Sequence, residues 1–275
     1  MKTMKNISKC LAAILLVVNL SSCVDLEPEP LSFFAPENTF MDKEGLEALL
    51  ITSRKQIKWE WFGDAFNAGY CETPLVYEYA WSDVSVMGAP EVKEIHNLET
   101  QLTPTTSMAL HLRYWDLAWN GIKYANTVIS RVPKSTIDNE TDKNELLAEG
   151  YFHRAYWYYL LVNQWGDVPL LLEEITEPKL DFYTVSRMKI LQQMKTDMEF
   201  AVKWLPKNVK PGCVNRAAGE HLLAKIYLST GDFQLAVDAT TRCINDYGLH
   251  LMKERFGVNA EDASLDVFND LFQED

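Results

Sequence analysis

Apolar residues return every three or four positions along most of the chain, in bouts that end at proline or glycine. Leu46, Leu49, Leu50, Ser53 and Ile57 form the first bout, with Asp42 placed to cap it. Leu112, Trp115, Trp119, Ile122, Ala125, Ile129 and Val132 form the second and predict a helix of about six turns that stops at Pro133. A third stripe runs Leu147, Tyr151, Arg154, Ala155, Tyr158, Leu161 and Val162, ending before Gly166. The fourth, Ile190, Leu191, Met194, Met198, Ala201 and Leu205, starts at Ser186 as a cap and ends at Pro206. Two further helices, 214–230 and 233–246, are separated only by Thr230, Gly231 and Asp232. The period is helical nearly everywhere after residue 100, so the chain reads as mainly α.

The last pair carries a repeat signature. With Ala217 as the first position, Leu223 and Ala224 are the seventh and eighth, Tyr227 the eleventh and Ala236 the twentieth. These are the leucine, small, aromatic and alanine positions of a tetratricopeptide repeat, where small residues let two antiparallel helices approach closely. Residues 147–166 followed by 186–205 predict a second, stretched hairpin around the linker GDVPLLLEEITEPKLDFYTVS. Residues 59–105 break the pattern: they are rich in aromatics and turn residues and predict an irregular excursion packed on the helices, a frequent place for binding surfaces.

The first residues follow different rules. Lys2, Lys5 and Lys9 precede an apolar run from Cys10 to Leu20, about half of the ~20 residues that span a bilayer, so 1–22 read as a signal peptide. Leu20-Ser21-Ser22-Cys23 resembles a bacterial lipobox, which makes Cys23 the expected lipidation site and 23–31 an extended, acidic tether. The other reading is an ordinary cleaved signal with an incidental cysteine. Several acyl chains would hold the protein at a membrane well beyond the grip of one.

Charge narrows the partners. The formal net charge is −13, and −16 without residues 1–22, which argues against nucleic acid and against lying flat on anionic lipid. Beyond the signal and Cys23, three cysteines remain, Cys71, Cys213 and Cys243. They have no metal-ligand spacing, and their odd number leaves at least one thiol free. Cys243 falls on a helical stripe, where it reads as a small hydrophobe.

Catalytic patterns are weak. His96, His111, His153, His221 and His250 form no metal spacing, and no nucleophile elbow, P-loop or dinucleotide fingerprint exists, so no metal, cofactor or catalytic residue is expected. The adjacent Glu173 and Glu174 need not converge as an acid and a base must, and predict a solvated linker. Arg154, beside an apolar stripe, predicts a structural pairing with Glu149 or Asp167, and Asn126 a partner for backbone groups between packed helices. Tyr77, Tyr79, Trp81 and Asp83 combine flat apolar faces with a directional polar group, as sugar recognition requires, and 77, 79 and 81 would share one face of a strand. The competing reading of these aromatics, and the stronger one for Trp59, Trp61 and Phe62, is packing.

Five blocks in order resemble the SusD/RagB family of outer-membrane nutrient-binding lipoproteins: the lipobox, WDLAWNGIKYANTVISRVP at 115–133, ELLAEGYFHRAYWYYLLVNQWGDVPLL at 145–171, VSRMKILQQMKTDMEFAVKWLP at 185–206 and NRAAGEHLLAKIYLSTGDFQLAVDATTRCINDYG at 215–248. The resemblance implies a SusD-like fold of tetratricopeptide-like hairpins over 32–275. It also implies an oligosaccharide ligand, a TonB-dependent (SusC-like) transporter as partner, and a lipid-anchored place on the outer membrane, facing outwards. It implies that the loop holding Tyr77, Tyr79, Trp81 and Asp83 lies near the glycan. Family members are about twice as long, so the chain is expected to be a truncated member lacking the C-terminal part, with an apolar face left uncovered. A tetratricopeptide-type scaffold or assembly lipoprotein without a sugar ligand is the first alternative, a surface glycosidase the second.

Overall fold

The computed structural model describes residues 40–62 and 109–270. Helix α1 (Lys43–Phe62) begins where Asp42 Oδ1 accepts the Gly45 N–H at 2.8 Å, as the sequence predicts. Helix α2 (Ala109–Arg131) gives way to a 3-10 turn, Val132–Lys134, because Pro133 has no N–H to continue the ladder. Helix α3 (Glu140–Gln164) starts at Asn139, whose side-chain oxygen accepts from Thr141 and Asp142, and it ends just ahead of Gly166 at φ 74°.

A two-residue antiparallel pairing of β1 (Val168–Pro169) with β2 (Thr184–Val185) then ties off residues 170–183 as a strap. Helix α4 (Arg187–Trp204) follows. Ser186 stands at its N-cap without a side-chain cap bond; Asp167 Oδ1 accepts the Arg187 N–H at 2.8 Å instead. Helices α5 (Arg216–Thr230) and α6 (Phe233–Asn245) form the tight hairpin, turned by Gly231 at φ 82°. A short α7 (Val267–Asp270) closes the described chain.

Each helix from α1 to α5 packs on the next in sequence, and the odd-numbered helices also touch, α1 with α3 and α3 with α5. Nearest-neighbour packing of this kind is how helical repeats build a continuous core from hairpins. The repeat positions behave as their spacing predicts: Ala217, Leu223, Ala224, Tyr227 and Ala236 are all buried. Cys243 lies half-buried at the same seam, its thiol donating to the Ala217 carbonyl at 3.6 Å, and burial pushes the thiol pKa up.

The centre of the stack is α3, buried on more than the single stripe its sequence suggests. Phe152 and Trp157 join Tyr158, Leu161 and Val162 inside, because α2 and α4 cover different sides of the helix; Leu147 and Tyr151 are only half-buried. Trp157 lies where Gly121 leaves room: a Cβ there would come within 2.0 Å of the indole nitrogen. Each large side chain fully buried in this core contributes about 1.5–3 kcal/mol. An exposed pair such as Lys179–Asp181 is screened by solvent and adds little, so the apolar seams set the arrangement.

Candidate functional site

The seam beside α2 contains a polar hub. Arg154 on α3 is 3% exposed and donates from Nε and one terminal nitrogen to both oxygens of Asp197 on α4, at 2.8 and 2.9 Å. Its other terminal nitrogen donates to Asn126 Oδ1 at 3.1 Å and to the Leu172 carbonyl at 2.8 Å. Asn126 in turn donates to the Leu171 carbonyl at 2.9 Å. A buried guanidinium is tolerable only when paired and fully bonded, and here the pairing reaches from α4 through α3 to the strap.

Further bonds fix the strap to α2 and α3. Arg131 holds Glu174 through two bonds of 2.9 and 2.6 Å, and the Glu174 N–H donates to Ser130 Oγ at 2.9 Å. Tyr158 accepts the Leu171 N–H at 2.6 Å, and burial pushes its phenol pKa up, so the ring stays a neutral O–H. The strap is therefore a wall with a fixed position relative to α2.

Between that wall and α2 lies a cleft of about 630 Å3. Helix α2 contributes Trp115, Trp119 and Ile122; the strap contributes Leu171, Ile175 and Phe182. Asn120, Lys123 and Glu173 bring polar groups to it and are exposed. Trp115 packs edge-on against both Trp119 and Trp165, with ring centroids 5.4 and 5.3 Å apart, which fixes the aromatic floor. Chemically this is an apolar shelf with a few donors and acceptors at its edge. Among the described residues no group of His, Cys, Asp and Glu is placed to hold a metal ion.

The structure corrects two expectations. Arg154 pairs with Asp197, not with Glu149 or Asp167. Five residues along a helix is about 140° around it, so Glu149 faces away and instead binds Arg54 of α1 through both oxygens, while Asp167 caps α4. Glu174 is no solvated linker residue: its side chain is 19% exposed and paired with Arg131, although Glu173 beside it is exposed. Trp115 and Trp119, on the helical stripe that the spacing marks, are half-buried: they pack against the core and line the cleft, because the fully buried face of α2 is centred on Tyr114, Ala118, Ile122 and Ala125.

Asn126 meets a backbone carbonyl as expected, but that of the strap. Trp59 is half-buried beneath the Lys55 ammonium, 4.8 Å from its ring. Cys23, Tyr77, Tyr79, Trp81 and Asp83 lie outside the described residues, as do Cys71, His96 and the side chains of Trp61, Phe62 and His111. The cleft escaped the sequence reading, yet it left a trace: Asn120, Lys123 and Thr127 recur at helical spacing directly beside the tryptophans.

This architecture has relatives. A SusD-like family model described as "Starch-binding associating with outer membrane" matches residues 71–228, more than half of the chain, and the chain belongs to that family. A SusD-like protein of Formosa agariphila is 27% identical over 261 residues, covering 93% of this chain and 48% of the relative. Among solved structures, a SusD superfamily protein from Bacteroides vulgatus superposes with a TM-score of 0.67 at 20% identity over 78% of this chain and 46% of its own. A laminarin-binding SusD-like protein superposes at 0.61, with 20% identity, over 76% and 46%. The chain spans about half the length of the Formosa relative and of these two solved chains.

Proposed function

We propose that this protein is a non-enzymatic, lipid-anchored binding protein of the outer-membrane surface that captures oligosaccharide and passes it to a TonB-dependent transporter. The observation that carries the reading is the family match over 71–228. It is supported by the shared fold with a laminarin-binding protein and by the signal and lipobox before Cys23. Tyr77, Tyr79, Trp81 and Asp83 are the proposed glycan contacts of the excursion. The mechanism on this reading is differential binding and release, with no bond broken.

One observation favours a second reading, a repeat-type scaffold. The outer side of α6 exposes Phe233 (66%), Val237 and Ile244, an apolar strip of the sort that protein partners cover. Isothermal titration of residues 24–275 against laminari-oligosaccharides and other neutral glycans separates the two. Capture predicts heat that is greatly reduced in Trp81→Ala and no release of reducing ends. Silence with every glycan, alongside a co-purifying outer-membrane barrel, favours the scaffold.

A further inference from the structure

Resting on the glycan-binding reading, we infer that the cleft between α2 and the strap is itself a carbohydrate-contact site, taking a short stretch of neutral oligosaccharide in addition to whatever the 77–83 loop holds. Its volume of about 630 Å3 falls within the roughly 300–1,000 Å3 of small-ligand sites. The half-buried Trp115 and Trp119 offer flat apolar surfaces to the C–H faces of sugar rings, and Phe182, 44% exposed with the Lys179 ammonium 5.8 Å from its ring centre, adds a third aromatic on the strap.

The edge supplies the rest. Lys123 and Glu173 are exposed at the same cleft, and neither forms an ion pair among the described residues. The Lys123 ammonium, 5.6 Å from the centre of the Tyr124 ring, and the Glu173 carboxylate thus bring donor and acceptor groups to the cleft edge that no ion pair takes up. Their charges balance, and the charge of Glu174 is already met by Arg131, so the cleft has no surplus positive charge with which to draw a uronate or sulfated chain. The acidity of the whole chain, −13, opposes polyanions as well. An uncharged polyol is the ligand that such a lining fits.

Preorganisation supports a site over an incidental gap. The strap wall is tied down at Leu171, Leu172 and Glu174 by five residues on α2 and α3, so a ligand does not have to order it. The exposed side chain of Ile175 follows directly on the tied residues, and that of Phe182 stands near the β2 end of the strap.

The test uses residues 24–275 labelled with 5-fluorotryptophan, with the Trp115 and Trp119 signals assigned through Trp→Phe variants. Laminarihexaose and cellohexaose are the neutral probes, and an oligogalacturonate is the acidic comparator. We expect at least one neutral hexaose to shift both signals and the oligogalacturonate to leave them in place. Phe182→Ala, with an unchanged melting curve, weakens the affinity roughly tenfold, whereas Phe233→Ala on α6 leaves it unchanged. Calorimetric binding of a neutral hexaose with both signals unmoved and Phe182→Ala at parental affinity overturns the cleft site and leaves glycan capture standing. Signals moved only by the oligogalacturonate overturn the neutral-ligand assignment, and absence of heat with every probe overturns both readings.

Discussion

Arg154 spends its donors on three elements at once: Asp197 on α4, Asn126 on α2 and the Leu172 carbonyl in the strap. Removing one partner of a buried pair strands the other charge, so Arg154→Met is expected to cost about 3–5 kcal/mol in urea unfolding. Arg154→Met with Asp197→Leu should recover most of that, since no charge is left unpaired. A loss below about 1 kcal/mol for the single variant would show that the hub is dispensable. Glu149 gives a pH handle. Burial alone would raise its carboxyl pKa, but His153 and Arg54 beside it hold it below the ordinary value of 4.5. A depressed folded pKa means stability that is present above 4.5 and lost as pH falls through the lower folded value. Acid titration of unfolding free energy should show this loss, and Arg54→Met should be less stable at pH 7 with a shallower acid slope. Sequence marked Arg154 as a charge on an apolar stripe, but its partner lies 43 residues away on another helix. Only the packing of α3 on α4 selects it over nearer carboxylates.

At the scale of elements, helix starts and stops were largely legible because caps and breakers act locally. Asp42, Pro133, Gly166, Pro206 and Gly231 all sit where helices begin or end. Ser186 is the instructive exception, because Asp167, held close by the β1–β2 pairing, satisfies the N-terminus of α4 in its place. Which faces are buried was harder to read. A helix touched on one side shows one stripe, but α3 is touched by several neighbours, and α2 divides its aromatic residues between core and cleft. At Gly121 the Trp157 indole of α3 comes close to the backbone of α2. Gly121→Ala places a Cβ inside the contact distance of the Trp157 indole and should cost about 1–3 kcal/mol through forced repacking. A melting temperature equal to the parent's would refute the close approach, and partial restoration by Trp157→Phe would localise the clash.

For the molecule as a whole, the proposed anchor lies in the segment before the helices. In detergent phase separation the full chain is expected in the detergent phase, and a chain lacking 1–22 with Cys23→Ala in the aqueous phase; persistence of the latter with detergent would undo the lipidation proposal. No helix among the described residues is long and apolar enough to cross a membrane. The sequence by itself determined the mainly helical class, the order of the hairpins, the repeat signature of α5–α6 and the family, because each is written in local spacing that survives without knowledge of neighbours. It also determined an acidic chain with a candidate acyl site. Tertiary structure alone decided that Arg154 belongs to Asp197, that Glu174 turns inward to Arg131, and that Trp115 and Trp119 border a cleft. Those outcomes depend on how α2, α4 and the strap meet α3. Helical periodicity says which residues share a face, but not what that face meets.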